Sequence, residues 1–196
     1  MLDLLERVHR KLSLLPKRSE PWPEALGRAL EAVKRAVEEE APGLLQGVEL
    51  PPEEVLLGDA ERLRRGQGPE GEGYAFWLHQ ALRLVPWQEA GEEGRCPACG
   101  GFPDVGFLDE EGRRFYVCAF CDETWRAPRV ACPYCGEGRA DRVVFYAEDP
   151  FRIYVCRTCG ERFVVQDLRL KPALDLPALR ARAAWYAVAE EEDVEV

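Results

Sequence analysis

Cys96-Pro97-Ala98-Cys99, Cys118-Ala119-Phe120-Cys121, Cys132-Pro133-Tyr134-Cys135 and Cys156-Arg157-Thr158-Cys159 decide how this 196-residue chain is read. All 8 cysteines fall in these four C-x2-C pairs. Three of the pairs run straight into glycine, at Gly100, Gly136 and Gly160. Two thiolates three positions apart grip one ion from a tight turn whose backbone N–H groups point at the sulfurs. Glycine after the second cysteine takes a left-handed conformation without a Cβ clash. Each turn is half of a tetrahedral site, so four turns predict two metal ions. The ligands are Cys96, Cys99, Cys118, Cys121, Cys132, Cys135, Cys156 and Cys159.

Sequential pairing of the turns gives C-x2-C-x18-C-x2-C and then C-x2-C-x20-C-x2-C. Both spacings belong with zinc ribbons and related knuckles. Between the turns, residues 102–108, a turn at 109–112 and residues 113–117 read as strand, turn, strand. Residues 142–147, a turn at 148–150 and residues 151–155 repeat that pattern. The segment is an internal duplication of knuckle, hairpin and knuckle. Interleaved pairing, first turn with third and second with fourth, fits a cross-braced site and stays open at this point.

Disulfides are the competing reading. A C-x2-C disulfide closes a very small loop, and four of them would stabilise little. Residues 1–15 mix Asp3, Glu6, Arg7, Arg10 and Lys11 among leucines, unlike a secretion signal. The expectation is therefore a reducing compartment, the cytoplasm, with metal-bound thiolates. Four copies without a βαβ frame also speak against a thioredoxin-type redox pair. Tetrahedral sulfur suits Zn2+ or a mononuclear iron cycling between Fe2+ and Fe3+, as in rubredoxin. The spacings suit iron–sulfur clusters less well.

The net charge of −10 and the balance of 8 Arg or Lys against 10 Asp or Glu from Cys96 to Cys159 leave no basic footprint for nucleic acid on the ribbons. No apolar run approaches the length of a membrane span, so no membrane insertion is expected.

Ahead of the knuckles the pattern is helical. Leu2, Leu5, Val8 and Leu12 share a face of a helix over 2–15. A linker at 16–23 precedes a helix from Pro23 to Glu40, with Leu26, Leu30, Val33 and Val37 inward. Prolines and acids at 50–54 start a helix reaching Arg65, whose Arg62, Arg64 and Arg65 complement its dipole. A glycine-rich loop at 66–73 follows. An apolar helix then runs from Tyr74 toward Glu92, kinked or ended at Pro86, and 90–94 is a linker. His9 reads as a surface or boundary histidine and His79 as a core or boundary one. Beyond the knuckles come a strand at 162–166, an extended stretch at 170–174, Asp175 as N-cap with Pro177 in the first turn, a helix to about Glu190, and an acidic tail.

The fold class expected is α+β: an N-terminal helical domain (1–94), two rubredoxin-like or zinc-ribbon knuckle subdomains (95–129 and 130–168), and a C-terminal helix with an acidic tail (169–196). No catalytic constellation appears, and with all cysteines on metal none is free as a nucleophile. The residues point to a binding or electron-transfer module and not an enzyme. Aromatics such as Trp125, Tyr134 and Phe145 mostly cover sulfurs and fill small cores, and an exposed minority would anchor a partner.

The run Cys96-Pro-Ala-Cys-Gly-Gly-Phe-Pro-Asp-Val105 resembles the FdhE family of formate dehydrogenase accessory proteins. So do Arg114-Phe-Tyr-Val-Cys-Ala-Phe-Cys121, Glu123-Thr-Trp-Arg126 and Arg129-Val-Ala-Cys-Pro-Tyr-Cys-Gly-Glu137. The resemblance covers about half of the chain, from Arg95 onward. It implies helices joined to two rubredoxin-like sites ligated by the eight cysteines, with zinc or iron. It further implies a cytoplasmic factor that binds the catalytic subunit of a formate dehydrogenase and is needed for that enzyme to become active. Trp125 and Arg129 match the family's linker between sites, and Arg129 is a candidate for partner contact. A rubredoxin-like electron carrier and a zinc-ribbon interaction module are the alternatives.

Overall fold

A computed structural model describes residues 2–18, 24–65, 67, 74–85 and 94–188. Four helices precede the knuckles: α1 (Leu2–Ser13), α2 (Glu24–Glu40), α3 (Glu53–Arg64) and α4 (Ala75–Leu82). Six strands follow: β1 (Pro103–Leu108), β2 (Arg114–Cys118), β3 (Thr124–Arg126), β4 (Val143–Glu148), β5 (Phe151–Cys156) and β6 (Arg162–Asp167). Helix α5 (Leu176–Val188) comes last among the described elements. The α+β class expected from the pattern is what the chain adopts.

The helical periodicities translate directly into burial. Leu26, Leu30, Val33 and Val37 of α2 face inward together with Val8 and Leu12 of α1 and Trp77 and Leu78 of α4. Full burial of such side chains stabilises by about 1.5–3 kcal/mol each. Trp77 Nε1 donates to Leu30 O at 2.7 Å, which satisfies its one polar atom inside this core. Two expectations need correcting. His9 is buried, because α5 packs on α1 and the Phe76 ring stands edge-on to the imidazole at 6.0 Å. Helix α4 stops at Leu82, four residues short of Pro86: Leu84 and Val85 donate back to Ala81 and Leu82, the i to i−3 bonds that tighten a last turn. The rest of that predicted helix (86–92), residues 19–23 of the predicted linker, nearly all of the 66–73 loop and the acidic tail lie outside the described residues.

Both repeats fold as knuckle, hairpin and knuckle, and each adds a third strand. The six strands form one sheet in the order β3-β2-β1-β6-β5-β4. Every neighbouring pair is antiparallel except β1 and β6, which are parallel with Val105 opposite Val164 and Leu108 opposite Asp167. The two repeats thus share a single hydrogen-bonded surface. Its faces alternate as a pleated sheet requires. Val105, Val117, Phe151, Ile153 and Val164 pack against Leu179 and Tyr186 of α5. Leu108, Tyr116, Phe163 and Val165 form a core on the opposite face. Asp175 caps α5 as predicted, its Oδ1 accepting from the Ala178 N–H at 3.0 Å. The same carboxylate pairs with Arg10 of α1 at 2.8 Å.

Candidate metal centres

The knuckles close by one recurring set of bonds. The N–H of Cys96, Cys118, Cys132 and Cys156 donates to the carbonyl five residues ahead, at 2.8–3.0 Å. Gly100, Gly136 and Gly160 donate back to Cys96, Cys132 and Cys156 from φ of 70–80°. At the second knuckle Asp122 takes the left-handed place with φ 66°, a conformation that costs a non-glycine residue energy.

These turns bring the sulfurs together in two groups, Cys96, Cys99, Cys118, Cys121 and Cys132, Cys135, Cys156, Cys159, with the Sγ atoms of each group all within 4.8 Å of one another. The pairing is sequential and not interleaved. Across the first group, Cys96–Cys121 and Cys99–Cys118 are both 3.5 Å apart; across the second, Cys132–Cys159 and Cys135–Cys156 are 3.6 Å apart. A disulfide needs about 2.05 Å. Tetrahedral sulfurs at 2.3 Å from a central ion lie about 3.8 Å apart. The donor set and its spacing therefore fit a tetrahedral, sulfur-preferring ion.

Without a cation, four of these thiols are held above the ordinary range. The contact with Cys99 and burial push the Cys118 thiol up, burial pushes Cys132 up, and burial holds Cys121 at about 12. Burial also raises Cys159, to about 11. At Cys156 burial is overcome by the N–H groups of Cys159 and Thr158, and the thiol is held at about 7. A central cation favours all four thiolates at once, which couples metal binding to proton release.

The two sites differ in their surroundings. In the first, Cys96, Cys99 and Cys118 are buried, and with Phe120 they belong to the same core as α1 to α4. Cations cap the carbonyls of its second knuckle one after another. Arg180 of α5 donates to Cys118 O at 2.8 Å, Arg83 to Ala119 O at 2.6 Å, and Lys17 to Phe120 O at 3.1 Å. Arg64 of α3 reaches Cys99 O at 3.3 Å and lies over the Phe120 ring. Two carboxylates hold Arg180 and Arg83 in place. Asp104 binds Arg180 at 2.6 Å, and Asp122 binds Arg83 at 2.8 Å and Arg180 at 2.9 Å. Burial alone would raise Asp104, yet Arg180 and then Arg83 hold it below the ordinary carboxylate range. Four thiolates around a divalent ion leave about −2 of formal charge, and these donors answer it. The second site has Cys135 and Cys159 exposed, with Val130, Tyr134 and Tyr154 packed beside Cys132 and Cys156.

All eight predicted ligands thus fall into the two groups. Sequence reasoning missed the cations. Arg64, read as a dipole-complementing helix end, is buried against the first site. Lys17, Arg83 and Arg180 carried no local signal. Asp122 did carry one: it stands where the other three knuckles have glycine, and the ion pairs explain it.

Residues 95–129 match the family described as FdhE, central domain. A protein named FdhE homolog from Rhizobium meliloti is 34% identical over 104 residues, covering 49% of this chain and 33% of that protein. The chain is thus similar to FdhE proteins over about half of its length. A second FdhE homolog, from Actinobacillus pleuropneumoniae serotype 3, is 29% identical over 111 residues, 51% of this chain and 36% of its own length. The chain matches about a third of the length of these curated FdhE relatives. The crystal structure of the FdhE protein from Pseudomonas aeruginosa aligns over 94% of this chain and 80% of that one, with TM-score 0.49 and 22% identity. Among the described residues no helix is long and apolar enough to cross a membrane.

Proposed function

We propose that this chain is an FdhE-type accessory factor, without catalysis of its own, that acts in the cytoplasm. It binds the catalytic subunit of a formate dehydrogenase and is needed for that enzyme's maturation or activity. The observation that carries this reading is the pair of four-cysteine centres set into one continuous sheet, the first of them within the family-matched residues 95–129. A metal at each centre would cross-link four points of the backbone, so the sheet and its loops present a fixed surface. A fixed surface that binds an unfinished client better than the finished one holds the client open for loading. Cys96, Cys99, Cys118 and Cys121 would hold one ion and Cys132, Cys135, Cys156 and Cys159 the other, each Zn2+ or Fe.

The test is capture of the purified catalytic subunit, cofactor-free and mature, on the tagged chain. Retention of the cofactor-free form with weaker retention of the mature form is the expected result. Equal retention of the two, or none of either, overturns the proposal. Exposure of Cys135 and Cys159 favours a second reading, electron transfer at the second site. That reading requires iron and a ferric–thiolate absorption that bleaches on reduction. A colourless, zinc-loaded chain eliminates it.

A further inference from the structure

On the sheet face opposite α5 lies a groove of about 520 Å³, within the size range of small-molecule sites. Among the described residues its lining holds four arginines, Arg114, Arg129, Arg152 and Arg169, and no Asp or Glu. Aliphatic and aromatic side chains, among them Phe145 and Tyr154, make up most of the remaining wall. In a chain of net charge −10 this is a concentrated island of positive charge.

Arg152 and Arg169 share one carboxylate, that of buried Asp167, at 2.8 and 2.6 Å. Arg129 is exposed and makes no hydrogen bond or ion pair with another described residue. Arg114 is 3% exposed. Its Nη2 donates to Tyr116 Oη at 2.7 Å and to Ala131 O at 2.8 Å, and its guanidinium lies 5.0 Å from the ring centres of both Tyr116 and Tyr154. Its Nε and Nη1 are buried without an acceptor. A buried guanidinium without a carboxylate partner, holding spare donors, is costly unless something anionic answers it. One carboxylate against four guanidiniums leaves about three positive charges facing the groove.

We propose that this groove binds a small organic oxyanion, a phosphate or carboxylate carried on a flat or apolar body. The oxyanion sits against Arg114 and Arg129, and the body packs on Phe145, which is 45% exposed. Guanidinium geometry serves phosphate and carboxylate alike, so the experiment separates the two.

The experiment is calorimetric titration of the metal-loaded chain with AMP, with phthalate and with inorganic phosphate, at fixed ionic strength. Each probe is repeated on Arg129→Ala and Phe145→Ala, both at exposed positions, and on Arg114→Lys. Binding of AMP or phthalate supports the proposal and names the oxyanion. Loss of one charge-assisted contact in Arg129→Ala then weakens that probe about 5- to 10-fold. In Phe145→Ala, AMP or phthalate weakens while inorganic phosphate is unchanged. Lack of heat and of thermal stabilisation with both AMP and phthalate overturns the proposal. So does unchanged affinity in Arg129→Ala, which would leave Arg114 a purely structural cation between two tyrosines.

Discussion

Replacing Arg180 by methionine tests whether the first centre is held by charge from the helices. Arg180 is 6% exposed. It gives two bonds to Asp104, at 2.6 and 3.3 Å, one to Cys118 O at 2.8 Å, and an ion pair to Asp122 at 2.9 Å. Removing one partner of a buried pair costs roughly 3–5 kcal/mol, because the other charge is left in a poor solvent. Arg83 remains 3.9 Å from Asp104 and 2.8 Å from Asp122, which places the expected loss near the lower end, about 3 kcal/mol. For a chain of this size that lowers the melting temperature by about 6–12 °C. Urea unfolding of the metal-loaded protein reads the same loss as a shifted midpoint at constant slope. The acid limb carries a second signature. Asp104 has a folded pKa below its unfolded value, so its contribution is complete above the unfolded pKa of about 3.9 and is lost as pH falls through the folded one. The gap between wild type and variant therefore narrows below about pH 4. Adding Asp104→Asn removes the stranded carboxylate and restores part of the loss. A loss under about 1 kcal/mol, or a double variant equal to the sum of the singles, refutes the reasoning.

Metal analysis should find two ions per chain. Cys99→Ser and Cys159→Ser each leave one, but the first costs more stability, since Cys99 lies in the helical core and Cys159 is exposed. A chelator followed by a chromophoric readout should strip the second centre before the first, and a single phase would count against the asymmetry. His9 and His79 are both lowered to about 4, first by burial, with Arg180 and Arg83 adding to it. Being neutral when folded and proton-binding when unfolded, they contribute stability that is present above about pH 6.5 and is lost as pH falls toward 4. NMR titration of the chain's 2 histidines should show neither ring titrating between pH 5.5 and 8. Gly101→Ala would place a Cβ 2.5 Å from the Phe120 ring and 3.2 Å from Cys118 Sγ. The expected cost is about 1–3 kcal/mol, with faster metal loss from the first centre, measured by thermal melts and chelator kinetics.

Much of the site was legible because its information is local. A C-x2-C turn contains its own geometry, and the duplicated hairpins between turns favour sequential pairing of the sulfurs, though only the fold decides against the interleaved one. The Asp175 cap and the inward face of α2 were readable for the same reason. Strand β3 was not, because three residues carry no periodicity and Thr124 to Arg126 form a strand only by pairing with residues 115–117 of β2. The union of the repeats through β1 and β6 was also hidden, since a parallel pairing some sixty residues apart leaves no turn signature. The cations around the first centre come from positions 17, 64, 83 and 180, and only the packed fold makes them neighbours. Burial of His9 depended in the same way on α5 arriving over α1.

The parallel β1–β6 pairing has a consequence for how the molecule is made. β1 is complete at residue 108, but its second neighbour begins at residue 162. At ribosomal rates of about 5–20 residues per second, its inner edge waits roughly 3–11 s for that partner, an open template for wrong pairing. Helix α1 waits longer still, for α5 to cover its face. Early occupation of the first centre would fasten β1 and β2 together during this interval. Folding in metal-depleted medium is then expected to give fewer soluble native chains than folding in metal-replete medium, which the yield of soluble protein from the two cultures would read.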